Sequence, residues 1–201
     1  MAATQLGTSF SLYAFKNKIQ TGVRPNIFKI TIPTPPGLGG ARINTQNLIT
    51  VLCKSGQLPA STQGVVDVPF RGRSLKIPGD RSFESWRATF YNDPTFELRT
   101  FFEEWTNYAN VFGENAGDLT PDKNFADITI EQLGKDNPAV TSDALPVLRT
   151  YKLIGAWPSN VSAIDLDYDT KDQIETFDVT FEYQYYQIGG GNNEKQQQKL
   201  I

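Results

Sequence analysis

A chain of 201 residues with 39% hydrophobic and 12% aromatic residues is long enough for one large domain and too apolar for a disordered one. Its net charge of −3 and isoelectric point near 5.1 supply no basic footprint for tight nucleic-acid binding. With no histidine and a single cysteine, Cys53, neither a Ser/His/Asp or Cys/His device nor an internal disulfide can form within one chain.

A lone thiol suits a reducing cytoplasm. The first residues lack the charged, apolar and small succession of a secretory signal. No apolar run approaches the roughly 20 residues needed to span a bilayer. The expectation is a soluble protein without stable membrane association.

Residues 1–24 are small and polar with scattered aromatics and read as an irregular arm. Residues 27–32 alternate Phe28, Ile30 and Ile32 with Lys29 and Thr31, a short strand stopped by Pro33. Residues 33–40 hold three prolines and three glycines, a loop. The apolar run 48–54 reads as a second strand ending in a turn at Ser55-Gly56. Residues 64–70 and 74–77 are strand-like pieces around Arg71-Gly72-Arg73, and Pro78-Gly79-Asp80 reads as a turn. Residues 84–92 place Trp86, Ala88 and Phe90 on one face.

One helix is predicted over about 94–110, capped by Asp93 with Pro94 at its first position. Leu98, Phe101, Phe102, Trp105 and Ala109 recur at helical spacing, and Gly113 closes the segment. After a polar loop over 113–124, residues 127–133 alternate as a strand, and residues 134–146 are again loop. Residues 147–154 are apolar on both faces, as expected of a central strand or a subunit contact. Trp157 to Asn160 is read as a break, 161–168 as a strand with Ile164 and Leu166, and 169–172 as a turn.

The strongest periodicity lies in 174–186, where Phe177, Val179, Phe181, Tyr183 and Tyr185 alternate with Thr176, Asp178, Thr180, Glu182 and Gln184. A polar tail follows over 187–201. About eight or nine strands with one helix predict a mainly β, antiparallel sandwich or barrel-like core in a single domain spanning 1–201.

Signals for chemistry are sparse. Cys53 reads as a small buried hydrophobe rather than a reactive thiol. Asp165, Asp167, Asp169 and Asp172 invite a calcium reading but lack the glycine and terminal glutamate of an EF-hand loop, which favours a solvated acidic edge. Gly37-Leu38-Gly39-Gly40 opens no helix and is weak as a phosphate cradle. No carboxylate pair is singled out, so no catalytic, cofactor or metal residue is expected. A carbohydrate-binding sandwich using Trp86, Trp105 and Trp157 is the alternative from another class, although Trp86 and Trp105 fall on apolar faces and read better as core. Arg71, Arg73, Lys76 and Arg81 form the densest basic stretch, either a solvated hairpin or a source of guanidinium forks across a subunit interface.

Three segments taken together carry a resemblance: Gly22-Val23-Arg24-Pro25-Asn26-Ile27-Phe28; Ile77-Pro78-Gly79-Asp80-Arg81-Ser82-Phe83-Glu84 with the Asn92-Asp93-Pro94 helix start; and Arg149-Thr150-Tyr151-Lys152 with Ala156-Trp157-Pro158-Ser159-Asn160-Val161-Ser162-Ala163-Ile164 and the aromatic last strand. Their order and spacing resemble the tail tube proteins of large contractile-tailed bacteriophages of the T-even type, over roughly residues 20–186.

That resemblance implies a ring-forming fold whose hexameric rings stack into a tube inside a contractile sheath. It implies a tube driven through the host envelope with DNA leaving by the lumen. The implied partners are further copies of the chain, the sheath, the baseplate or tube-initiator and tail terminator proteins, and DNA in transient, non-specific passage. The implied place is the virion tail, assembled in host cytoplasm. The inner tube of a secretion or toxin-injection apparatus is the neighbouring alternative. On this reading the interface would draw on Pro35, Pro36, Leu38, Ser55, Gln57, Leu58, Arg71, Arg73, Lys76, Arg81, Arg149 and Tyr151, and Asp178 and Glu182 would face the lumen.

Overall fold

The computed structural model describes residues 12–19, 22–39, 43–118, 120–135 and 145–189. Among them the elements run α1 (Leu12–Ile19), β1 (Phe28–Thr31), α2 (Ile43–Leu52), β2 (Cys53–Gly56), β3 (Ser61–Phe70), β4 (Arg73–Phe83), β5 (Trp86–Tyr91), α3 (Glu97–Ala109), α4 (Pro121–Asn124), β6 (Ala126–Leu133), β7 (Val147–Val161), β8 (Thr176–Glu182) and β9 (Tyr185–Gly189). Seven strands make one antiparallel sheet in the order β1-β6-β7-β8-β5-β2, with β9 also on β7, and β3 and β4 form a separate hairpin. The mainly β, antiparallel expectation holds, but the sheet does not close into a barrel within one chain.

β7 organises the sheet because it belongs to both halves. Residues 147–156 pair with β6, residues 150–154 pair with β9 on the opposite edge, and residues 157–161 pair with β8. The change of partner falls at Gly155, whose φ of +63° suits a residue without Cβ. The Gly155 N–H donates to Asp127 Oδ1 at 3.1 Å, and Lys152 Nζ sits 2.9 Å from the other carboxylate oxygen. These bonds hold the Asp127 carboxyl below its ordinary range against the opposing effect of burial.

The core fills the angle between the half-sheets. Ile30, Ile128 and Leu153 come from one half, Trp86, Phe90, Phe177 and Phe181 from the other, and Leu98, Phe101, Phe102 and Trp105 of α3 close it. Phe102 alone meets Phe90, Phe101, Phe177 and Phe181, with ring centroids 5.2–6.2 Å apart. Trp86 is 2% exposed and Trp105 0%, so neither offers the stacking platform that a carbohydrate-binding site requires.

Several expectations are corrected. Residues 48–52 end the helix α2 instead of opening a strand, because Thr45, Ile49 and Leu52 recur at helical spacing and Thr45 and Ile49 are buried. The arm contains α1, so residues 12–19 are not irregular; residues 1–11 lie outside the described residues. α3 begins at Glu97, later than expected. Asp93 still caps it, accepting the N–H groups of Thr95, Glu97 and Leu98 at 3.1–3.2 Å from the loop before the helix. Phe96, in the left-handed region at φ 56°, turns the chain into the first helical residue.

Pro78-Gly79-Asp80 is no turn but part of β4, facing a bulge between Gln63 and Val65 where Gly64 and Gly79 approach closely. Pro158 does not interrupt β7, since the register shifts between Pro158 and Asn160 and its missing N–H is accommodated there. Residues 162–167 form no strand, and Leu166 stands exposed. The predicted 174–186 strand divides at Tyr183-Gln184 into β8 and β9, which join opposite halves. Gln187, Ile188 and Gly189 belong to β9 and not to a tail, and residues 190–201 lie outside the described residues.

Candidate assembly surfaces

The β3–β4 hairpin is fixed at its base and bare along its length. Arg71 and Gly72 take positive φ values of 46° and 80°, the conformation of a tight two-residue hairpin turn. At the base, the Phe83 ring meets Tyr183 and Tyr186 with centroids 6.0 and 5.6 Å apart, and the Tyr183 hydroxyl donates to the Ala60 carbonyl at 3.4 Å. Beyond that anchor Val65, Val66, Val68, Phe70, Leu75 and Ile77 are all exposed. Val65 and Val66 are consecutive, so apolar side chains occupy both faces.

Arg71, Arg73, Lys76 and Arg81 lie on this hairpin and are exposed. The Arg71 guanidinium rests 5.4 Å from the Phe70 ring centroid. Arg73, Lys76 and Arg81 have no carboxylate partner among the described residues. Ser55, Gln57 and Leu58 lead into the hairpin from β2. The Gln57 carbonyl accepts the Trp86 indole N–H at 2.6 Å, while Leu58 is half exposed. Arg149 and Tyr151 join the same end of the molecule: Arg149 stacks 5.4 Å from the Tyr151 ring, and Tyr151 meets Tyr186, the residue that also packs on Phe83.

A second surface is the polar face of the β5–β8 half. Asp178 receives the Arg87 guanidinium and accepts the Thr89 hydroxyl at 2.6 Å. The Thr89 hydrogen bond, followed by Arg87, holds the Asp178 carboxyl below its ordinary range. Lys54 Nζ lies 5.5 Å over the Tyr91 ring. Glu182 occupies the same face of β8 and pairs in register with Trp157. Arg87 and Lys54, the two cations of this face among the described residues, are therefore engaged. Sequence reasoning placed Asp178 and Glu182 on one polar face but missed Lys54 and Arg87, which arrive from strands far earlier in the chain.

Pro35, Pro36 and Leu38 lie elsewhere, beside α3 and α4. Pro35 is buried, Pro36 opens a 3-10 turn over Pro36–Leu38, and Leu38 packs on the core. A Cβ on Gly37 would fall 2.2 Å from the Tyr108 ring, so only glycine admits that ring beside the turn. Among the predicted positions, then, the hairpin, its lead-in and Arg149–Tyr151 come together, and the Pro35–Leu38 group does not. The exposed apolar hairpin residues were missed as a surface, although the adjacent Val65-Val66 pair, which no single buried face can accommodate, was a signal.

The four-aspartate segment is an exposed irregular stretch between β7 and β8. Asp167 accepts the Asp169 N–H at 3.0 Å, and an open cleft of about 380 Å³ lies over Leu166, Tyr168 and Gln173. Cys53 is half-buried and donates to the Ser55 and Thr89 carbonyls; burial pushes its thiol up to about 12. No helix among the described residues is long and apolar enough to cross a membrane.

Comparison with known proteins sets these surfaces in context. The model of the phage tail tube protein family matches residues 23–189. The chain is 30% identical over 164 residues to tail tube protein gp19 of Enterobacteria phage T4, across 82% of this chain and 90% of that protein. It is likewise 30% identical over 165 residues to the tail tube protein of Serratia phage KSP90, across 82% of this chain and 86% of the relative. Its fold is similar to a chain of the anti-feeding prophage baseplate, with a TM-score of 0.57 at 14% identity over 82% of this chain and 93% of that one. It is also similar to a chain of the sheath–tube complex of an extracellular contractile injection system in the extended state, with a TM-score of 0.56 at 15% identity over 87% and 97%. By its match along most of its length, the chain belongs to the phage tail tube protein family.

Proposed function

We propose that this chain is the repeating, non-enzymatic subunit of the tail tube of a contractile-tailed phage. Six copies close into a ring and rings stack into a tube that conducts DNA on ejection. The observation that carries this reading is the hairpin: an isolated two-stranded ribbon is marginal in water, yet Ser61–Phe83 extends with apolar residues bare on both faces. Such an element needs another subunit to cover it. The free edges of β1 and β2, at the two ends of the sheet order, would be satisfied by neighbours in a ring.

The ring and stacking contacts are assigned to Ser55, Gln57, Leu58, Arg71, Arg73, Lys76, Arg81, Arg149 and Tyr151, with Pro36 and Leu38 as a second contact group; Pro35, buried in its own subunit, is left out. The polar face carrying Asp178 and Glu182 is assigned to the lumen. There, engaged cations suit a conduit that must not grip phosphates, since each neutralised phosphate adds salt-dependent affinity. Sheath, baseplate or tube-initiator and terminator proteins are the expected partners, in a virion tail assembled in host cytoplasm. A toxin-injection tube would share the fold, but the phage relatives stand at 30% identity against 14–15% for the injection-system chains.

Negative-stain electron microscopy of the purified chain across a concentration series tests the reading. Stacked rings or tubes of uniform width with an open centre are expected. A strict monomer at every concentration, including in the presence of baseplate as nucleus, would remove it.

A further inference from the structure

The bare hairpin and the acidic segment 162–175 occupy opposite ends of one half-sheet. β5 and β8 are antiparallel, with Trp86 opposite Phe181 and Tyr91 opposite Thr176. The hairpin enters β5 beside Trp86, whereas the acidic segment enters β8 beside Thr176. The six residues of β5 therefore separate them by about 17 Å along the strands.

Their chemistry is complementary. The hairpin carries Arg71, Arg73, Lys76 and Arg81 against two carboxylates, Asp67 and Asp80. The acidic segment carries Asp165, Asp167, Asp169, Asp172 and Glu175 against one lysine, Lys171. Neither surface is neutralised among the described residues, where no ion pair involves Arg73, Lys76, Arg81, Asp165, Asp169 or Asp172. Both surfaces also present unpartnered apolar side chains. Leu166, Tyr168 and Ile174 are 71–102% exposed in the acidic segment, facing solvent as Val66, Phe70 and Leu75 do on the hairpin.

Resting on the tube reading above, we infer that the hairpin of one subunit docks on segment 162–175 of a second copy in the adjoining ring. A surface and its complement at opposite ends of one molecule make a head-to-tail contact that propagates without limit along an axis, as stacking requires. The apolar residues supply burial, and the charges fix polarity, because two hairpins or two acidic segments brought together repel. Rings would thus add in one orientation only.

Charge exchange in the full chain tests this. The double variant R71E/R73E and the double variant D167K/D169K are each expected to retain the urea midpoint of the wild type, all four positions being exposed, and to lose at least ten-fold in pelletable tube while single rings persist. Mixing is not required for the decisive step: the quadruple variant, with both surfaces reversed, is expected to recover tubes. Wild-type tubes with indifferent double variants, or a quadruple variant as defective as either parent, overturn this docking while leaving the tube reading intact. A wild-type chain that forms no ring or tube under any condition overturns the tube reading and the docking with it.

Discussion

The indole N–H of Trp105 donates to the main-chain carbonyl of Asn124 at 2.8 Å, tying α3 to the short helix α4 inside the core. Trp105→Phe keeps a ring for Phe101 and Phe181 but leaves that buried carbonyl without its donor. The expected loss is about 1–3 kcal/mol, rising to about 3–5 kcal/mol for Trp105→Ala. Urea unfolding followed by far-ultraviolet dichroism measures both, and equal midpoints for wild type and Trp105→Phe would show the hydrogen bond to be dispensable.

Asp93 stands at the start of the same helix as its cap, and Asp93→Ala is expected to cost about 1–2 kcal/mol. Although burial opposes ionisation, the Thr95 hydroxyl and the Leu98 and Glu97 amides hold its carboxyl below the ordinary range. A carboxylate depressed in the fold contributes stability that is present above its unfolded value of about 4 and lost as pH falls through the folded value. Asp127 and Asp178 are shifted in the same direction. The urea midpoint should therefore be nearly flat around neutrality and fall in acid, with a shallower fall in Asp93→Asn.

Gly155→Ala probes the place where β7 changes partners. The left-handed backbone costs a residue with a Cβ about 1–2 kcal/mol. The new methyl would also stand 3.2 Å from Gln184 Cγ and 3.3 Å from Phe125 Cδ2. Gly113→Ala is the control, because nothing lies within 4 Å of its added methyl. A drop in thermal midpoint confined to Gly155→Ala is the expected pattern.

Removing Asp178 exposes what it engages. In Asp178→Ala, Arg87 loses its carboxylate, and the face assigned to the lumen gains an unpaired guanidinium. Affinity for a fluorescent DNA duplex, read by anisotropy, is expected to rise and to weaken steeply with salt. The Arg87→Ala, Asp178→Ala double variant should return to the wild-type baseline. An increase that survives in the double variant would assign the grip to some other cation.

The Cys53 thiol, pushed up to about 12 by burial, holds almost no thiolate at neutral pH. A disulfide-exchange reagent should label native protein slowly and denatured protein promptly. Fast native labelling would mean that the β2 edge opens readily.

How far the chain was legible depended on how many partners each segment needs in order to be itself. Phe177, Val179 and Phe181 declare a strand by alternation alone, and Leu98, Phe101, Phe102 and Trp105 declare a helix by their spacing. The run ending in Leu52 satisfies both periods over so few residues that only the burial of Thr45 and Ile49 decides it. Ile164 and Leu166 alternate as a strand would, yet the ladder to β8 ends with the Ser162 N–H on the Asp178 carbonyl; beyond it Ile164 packs on the core from irregular backbone and Leu166 is exposed. Pro158 and Pro78 looked like terminators because a bulge, which lets a proline remain in a strand, leaves no local mark. For the candidate surfaces, the basic residues of the hairpin could be read directly. That Phe70 and Leu75 cover nothing could not, since an apolar position announces a face without saying whether the fold possesses a lid for it; only the adjacent Val65-Val66 pair hinted at a surface bare on both sides.

The double membership of β7 has a mechanical meaning. A push delivered at either end of this strand travels through covalent backbone into both half-sheets, instead of crossing a seam of side chains between two layers. A ladder runs beside the strand through almost all of its length, to β6 and then to β8, with a second one from β9 at Thr150–Ile154, so the load passes into several strands in parallel. Continuous backbone of this kind is suited to carrying thrust, which is the property a ram built from stacked copies would need.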